Sequence, residues 1–246
     1  MAVGAGGDYK IELWNILSGK KITELQHNPS VNINDVTFSL DGRWLISSGL
    51  DGTARVWDME TMREQSRLTY DPNIYQNRYE VLTTKVSPNQ KKLVSVNTIT
   101  HMTANSNPTT IRESEIRVWD LLSGQIISHM VHNSWVSDLG WSPDGQYIFS
   151  VGLDGIVRIW DAASGSEIAH LMHDSEIIQF RFTSDSRQIV SIGADGTYEF
   201  SNWQSSDIVA QACLHMTRNL TSLEWNQYFG DIVYHATCPD LPIPTQ

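Results

Sequence analysis

The stretch Gly152-Leu153-Asp154-Gly155-Ile156-Val157-Arg158-Ile159-Trp160-Asp161 decides the fold. It joins a turn pair, Asp154-Gly155, to an alternating run, Ile156 to Ile159, and closes on Trp160-Asp161. Asp-Gly ahead of period-two alternation marks a β-hairpin, because glycine takes the positive φ that the tight turn needs. The interval of six residues from turn Asp to Trp returns at Asp51 and Trp57 and at Asp8 and Trp14. Asp195 and Ser201 repeat it with the Trp replaced. Aligned on the Trp position, the copies fall at Trp14, Trp57, Trp119, Trp160 and Ser201, spaced by 43, 62, 41 and 41 residues. A period of about 40–45 residues carrying Trp-Asp belongs to a unit of four strands.

Each copy reads as strands A to D. In the second, A covers Ile33–Phe38, B Trp44–Ser48, C Ala54–Trp57 and D Gln65–Thr69. In the third, A is Val81–Val86, B Leu93–Asn97 and C Ile116–Trp119, with an insertion between B and C that accounts for the long interval. The fourth runs from Val136 to Met172. The fifth supplies A (Ile177–Phe182), B (Gln188–Ile192) and C (Tyr198–Ser201). Strand A carries one apolar row throughout: Ile33, Val36 and Phe38; Val81, Thr84 and Val86; Val136, Leu139 and Trp141; Ile177, Phe180 and Phe182. These rows are expected to pack between neighbouring sheets.

On these turns, the Trp-Asp ends, the Ser142-Pro143-Asp144-Gly145 turn, and His132 or His173 upstream, residues 1–203 resemble the WD-repeat family of β-propellers. The resemblance implies an all-β fold of about five four-stranded blades, near 1–27, 28–70, 71–131, 132–173 and 174–203. The first lacks strand A and the last lacks strand D. Such rings usually close by pairing an N-terminal strand into the last blade, so the chain is expected to be the C-terminal portion of a larger propeller, missing its N-terminal blades; a closed ring of five blades is the alternative. Residues 204–246 form a helical and extended tail. Ile208, Val209, Ala212, Cys213 and Met216 share one helical face, with Ser205 or Ser206 as N-cap. A second helix opens on the capping box Thr221/Glu224, with Leu220 and Trp225 as staple and Gly230 as stop. The run from Asp207 to Pro242 resembles the ending of bacterial WD-repeat proteins whose N-terminal parts carry NACHT-type signalling NTPase modules. That likeness implies an upstream signalling domain, with this segment as the sensor.

Bulk properties narrow the partners. The 246 residues are 40% apolar and include nine Trp, ample for a core. A net charge of −11 does not suit nucleic acid or an anionic membrane, which want a basic footprint. No apolar run is long enough for a membrane helix and the first residues do not read as a secretory signal, so a cytoplasmic setting is expected. Two cysteines, Cys213 and Cys238, make no disulfide framework and suit a reducing compartment; a single pair between them stays open.

Ser47, Ser150 and Ser191 stand four residues before Asp51, Asp154 and Asp195. With Trp57 and Trp160, and with His132 and His173 ahead of strand A, they match the structural tetrad of the resembled family, hydrogen-bonded across one blade. Ser, His and Asp also name a catalytic triad, but a triad occurs once and activates its Ser. Sets that recur with a Trp at the end satisfy buried polar groups instead. The first copy has Gly4 for the Ser, the third has Asn77 where His would be, and His27 lies two positions out of register. His129/His132 and His170/His173 are poor metal pairs, since residues three apart on a strand face opposite ways. Gly4 to Lys10 lacks the spacing of a phosphate loop. No cofactor or metal is expected.

Recognition is expected on the face where the loops into strand A open, by residues flanking its first apolar position. These are Asn32 and Asn34, Glu80 and Leu82, Trp135 and Ser137, and Glu176 and Ile178. Trp135 is the favoured anchor. The polar insertion Thr98–Ser114 is expected as a mobile loop on the same face. The whole reads as a non-enzymatic module for a protein or peptide partner. The alternatives are a hydrolase gathering Glu80, Glu176 and Asp138 near a central channel, or a purely architectural segment.

Overall fold

A computed structural model describes residues 2–6, 10–27, 32–69, 78–101, 111–229, 233 and 236–244. The chain divides into two compact units, residues 1–179 with 192–197, and residues 180–191 with 198–246.

Antiparallel sheets follow one another in chain order. The first holds β1 (Ala2–Gly6), β2 (Lys10–Asn15) and β3 (Lys20–Gln26); the second, β4 (Ile33–Phe38), β5 (Trp44–Gly49), β6 (Thr53–Asp58) and β7 (Arg63–Thr69). The third holds β8 (Arg78–Val86), β9 (Lys92–His101), β10 (Ile111–Asp120) and β11 (Ile126–His132). The fourth holds β12 (Val136–Trp141), β13 (Tyr147–Gly152), β14 (Ile156–Asp161) and β15 (Glu167–Met172). The fifth is β16 (Ile177–Phe182), β17 (Gln188–Gly193) and β18 (Tyr198–Asn202). The fold is all-β, built of blade-type four-stranded sheets, with two short helices. Gly52 and Gly155, the turn glycines, have φ of 71° and 72°. A side chain there would meet the steric penalty of the left-handed region.

Strand A turns its first, fourth and sixth residues to the core, fully buried in β12 and partly buried as Ile33, Val36 and Phe38 in β4, where simple alternation would turn in the first, third and fifth. A β-bulge near its start supplies the extra residue, between Ile33 and Asp35, Val81 and Thr83, and Val136 and Asp138. The core lies between successive sheets. Ile11 and Leu13 of the first pack with Leu45, Trp57 and Met59 of the second. Ala54 and Val56 pack with Leu93, Trp119 and Leu121 of the third, and Ile116 and Val118 with Ile148, Trp160 and Ala162 of the fourth.

The insertion departs from expectation. Part of Thr98–Ser114 is strand, not loop: β9 and β10 stay paired from Ser114↔Thr98 out to Ile111↔His101, and β8 joins at Arg78↔Thr100. Ladder hydrogen bonds need no apolar side chains, and Thr98, Ile99, Thr100 and Ile111 are β-branched residues that favour the extended form. Residues 102–110 lie outside the described residues.

In the second unit, α1 spans Ser205–His215 and α2 spans Ser222–Phe229. The N-cap of α1 is Gln204, in extended conformation and without a side-chain cap bond; the expected Ser205 and Ser206 already belong to the helix. Just before it, the buried Trp203 donates its indole N–H to the Ser186 carbonyl at 3.0 Å. The capping box of α2 forms as read: Thr221 N–H donates to Glu224 Oε2 at 2.8 Å and Glu224 N–H to Thr221 Oγ1 at 3.2 Å. Trp225 beneath it is buried. Gly230 lies outside the described residues. Cys213 and Cys238 form a disulfide. No helix among the described residues is long and apolar enough to cross a membrane.

Candidate functional site

Complete Ser-His-Asp-Trp sets form in the second and fourth sheets, each with a His from the end of the preceding sheet: His132 closes β11, and His27 follows β3. In the fourth, Trp160 Nε1 donates to Ser150 Oγ at 2.8 Å, and His132 Nδ1 lies 2.9 Å from the same oxygen. Arg158 Nη1 donates to His132 Nε2 and to Asp154 Oδ2, the latter at 2.7 Å. Accepting at Nε2, the ring carries its proton on Nδ1 and donates it to Ser150. Burial and then the Arg158 guanidinium push the His132 imidazole down to about 4, with Asp154 opposing, so the ring is neutral at pH 7. Burial raises the Asp154 carboxyl, but the Arg158 hydrogen bond and the facing His132 outweigh it, and the net shift is downward.

The second sheet builds the same set around a residue that counting had put out of register. His27 Nε2 is 2.6 Å from Ser47 Oγ and its Nδ1 is 3.3 Å from Asp51 Oδ2, while Trp57 Nε1 donates to Ser47 at 2.8 Å. Burial pushes the Asp51 carboxyl up, yet hydrogen bonds from His27 and Thr53 hold it well below the usual carboxylate range. In the third sheet Trp119 Nε1 donates to Ser95 at 2.8 Å, a second member that the sequence reading passed over because the insertion breaks the spacing. In the fifth, Ser175 Oγ joins His173 Nδ1 at 3.3 Å to Asp195 Oδ1 at 3.1 Å, and Ser191 is buried. Asn77 lies outside the described residues.

Gly49 and Gly152 leave room for these rings. A Cβ on Gly152 would stand 2.9 Å from His132 Nε2 and 2.8 Å from the Trp135 carbonyl. Ser47 and Ser150 have no exposed surface, and each accepts an indole N–H. A nucleophile so enclosed meets no substrate; the sets clamp strands together. The HxxH pairs split as strand geometry requires: His132 and His173 are buried, while His129 pairs with Glu115 at 2.6 Å and His170 with Glu167 at 3.1 Å.

Comparison with known proteins agrees with this geometry. Residues 19–58 and 124–161 match the model of the WD domain, G-beta repeat. These two stretches are similar to WD40 repeats. The chain is 28% identical over 163 residues to the nuclear distribution protein PAC1 of Arthroderma otae, across 63% of this chain and 34% of that protein. It is 28% identical over 158 residues to the nuclear distribution protein nudF of Aspergillus niger, across 62% and 34%. A PAC1-1 protein of Uncinocarpus reesii is 31% identical over 129 residues, across 50% and 28%. The match thus spans about a third of the length of these curated relatives. WD40 repeats support a protein-interaction module.

The residues that precede strand A behave alike in the second, fourth and fifth sheets. The carbonyls of Asn32, Trp135 and Glu176 accept Leu50 N–H at 3.0 Å, Leu153 N–H at 3.1 Å and Ala194 N–H at 2.8 Å, pinning the loop to the B–C turn. Asn32 and Glu176 are exposed, Trp135 is partly buried, and Ile178 is half exposed. The second strand residues are engaged elsewhere. Asn34 Nδ2 donates to the Val81 carbonyl at 2.9 Å, and the Ser137 hydroxyl lies against the Val151 and Ile177 carbonyls. The side chains of Glu80 and Leu82 lie outside the described residues. Asp138 accepts the N–H of Leu139 at 2.9 Å.

Proposed function

We propose that this chain is a non-enzymatic WD40 module that binds a protein or peptide through the loops leading into strand A. The observation that carries the reading is the repeated carbonyl pin at Asn32, Trp135 and Glu176. It fixes the backbone of three of these loops while their side chains differ, giving a preorganised surface of varied chemistry. Trp135 is the proposed anchor, with Asn32, Glu176 and Ile178 as further contacts, and Asn34 and Ser137 act mainly by holding the strands in place. By the likeness of its tail, the module is the C-terminal sensor of a larger bacterial signalling protein, whose remaining blades and signalling domain lie upstream.

The test is a peptide library screened against the 246-residue chain, followed by titration of the selected peptide. Trp135→Ala is expected to weaken binding at least about tenfold with an unchanged melting temperature. Unchanged affinity in Trp135→Ala would remove this surface from the proposal.

A further inference from the structure

Asn97 stands where the second and fourth sheets have glycine. It pairs with Val81 at the start of the core-facing row of β8, as Gly49 pairs with Ile33 and Gly152 with Val136. A Cβ on Gly49 would lie 3.1 Å from His27 Nδ1, and one on Gly152 2.9 Å from His132 Nε2. A side chain at this position is therefore aimed at the place of the tetrad imidazole. The sequence has Asn77 where the third set would draw its histidine. Asn97 is fully buried, and neither its Nδ2 nor its Oδ1 has a hydrogen-bond partner among the described residues. Two positions before it on the same face of β9, Ser95 accepts the Trp119 indole N–H at 2.8 Å.

Two hydroxyls lie in the same joint. Thr84 is paired with Ser95 and belongs to the row whose Val81 packs with Ile46 and Ala54 of the second sheet. Ser48 is two residues beyond Ile46 and pairs with Ala54. Asp35 links the two: it pairs with Ser48, and its Oδ2 accepts the Thr84 N–H at 3.4 Å. Both residues are fully buried, and neither hydroxyl has a hydrogen-bond partner among the described residues. The next joint holds Val96 and Leu139 at these two places, packed in the core. Serine and threonine there make the joint between the second and third sheets more polar and less filled.

Buried donors and acceptors are met by protein or by ordered water, because an unmade one costs more than a made one returns. We infer that bound water occupies this joint, joining Asn97 to Thr84 and Ser48 where the second and fourth sets hold a histidine ring. The chemistry selects water over an ion. Asn97 presents an N–H donor group and a carbonyl acceptor, and each hydroxyl can do either. A cation would leave Nδ2 unmet and an anion would leave Oδ1 unmet, whereas water donates and accepts. None of the three residues has exposed surface through which a larger ligand could reach them. The site belongs to the scaffold and is independent of the proposed peptide surface.

The experiment is a high-resolution crystal structure of the 246-residue chain, with thermal unfolding of Thr84→Val and Ser48→Ala. Density for water is expected within about 2.7–3.2 Å of Asn97 Nδ2 or Oδ1 and of at least one of the two hydroxyls. The variants read the same question through a sign. In a dry joint, exchanging an unmade hydroxyl for an apolar group is neutral or stabilising, and Val36, Leu139 and Phe180 already hold the place of Thr84 in other sheets. In a hydrated joint, the exchange strips a partner from the bound water. Each variant is therefore expected to lower the thermal midpoint by about 2–4 °C. A dry joint in the crystal, a protein side chain in place of the water, or a midpoint that either variant raises or leaves unchanged would overturn the inference. If a variant does not fold, the wild-type density decides alone.

Discussion

The side-chain amide of Asn34 donates to the main-chain carbonyl of Val81 at 2.9 Å, tying strand A of the second sheet to strand A of the third. The Ser137 hydroxyl makes the equivalent approach to the Ile177 carbonyl. Both residues flank the first apolar position of strand A, where sequence alone suggests partner contacts. Their bonds make them part of the joints between sheets. Asn34→Ala leaves the Val81 carbonyl without this donor and is expected to cost about 1–2 kcal/mol in urea unfolding. Affinity for a peptide held at Trp135 should not change. A loss of affinity with unchanged stability would return Asn34 to the binding surface.

His132 makes stability depend on pH in a stated direction. Its folded value near 4 lies below the value of about 6.5 in the unfolded chain, so the unfolded state binds the extra proton between the two. The contribution is present in full above about pH 6.5 and is lost as pH falls toward 4, with an upper size of about 3 kcal/mol. Asp51 and Asp154, both held low, extend the loss at more acid pH, because protonating them favours unfolding. Urea midpoints between pH 7.5 and pH 4.5 should therefore fall steadily in wild type. His132→Asn should be less stable at neutral pH and flatter across that window; an equal slope in the variant would assign the loss to other groups.

The fold was legible because the repeat is spelled in local chemistry. Asp-Gly turns, strand alternation and the terminal Trp each act within a few residues, and the tetrads of the second and fourth sheets follow from them. What escaped depends on chain length between elements. His27 enters its tetrad although the connection to Ile33 is two residues longer than that from His132 to Val136. A loop absorbs such an excess without moving its ends. Ser95 escaped because its Trp119 lies 24 residues on, beyond the insertion. The spare residue in strand A was visible as spacing, but the bulge that accounts for it is a backbone event. Of the candidate surface, Trp135 could be named from sequence, whereas the engagement of Asn34 and Ser137 depends on a neighbouring sheet.

The A–B turns carry a second readable cost. Gly42 and Gly145 hold φ of 71° and 70°, while Gln90 and Ser186 sit at 60° in the matching places. A side chain in the left-handed region costs about 1–2 kcal/mol, part of which glycine returns through its larger unfolded-state entropy. Ser186→Gly keeps the carbonyl that receives the Trp203 indole N–H. It is expected to stabilise the protein by about 0.5–1 kcal/mol, seen as a higher thermal midpoint. A lower midpoint would mean that the serine side chain contributes something its turn position does not explain.

The C-terminal segment is fastened twice, and the two fasteners can be separated. Cys238 is bonded to Cys213 at the end of α1. Beside it, Asn219 donates through Nδ2 to the carbonyls of Cys238 and Leu241 at 2.8 and 2.7 Å and accepts the Cys238 N–H at 2.9 Å. Asn219 heads the sequon Asn219-Leu220-Thr221, but its amide is buried and fully occupied, so glycosylation and this packing exclude each other. With the cysteines 25 positions apart in sequence, opening the disulfide is expected to destabilise this unit by up to about 3 kcal/mol, mostly through the freed unfolded chain. The buried clamp is left in place. A reductant, or Cys213→Ser with Cys238→Ser, should therefore lower the thermal midpoint while amide protection at Cys238 persists. Asn219→Asp removes one Nδ2 donor pair and sets a carboxylate against two carbonyls, so it should abolish that protection even in the oxidised protein. If reduction alone erases protection at Cys238, the disulfide and not Asn219 holds the segment.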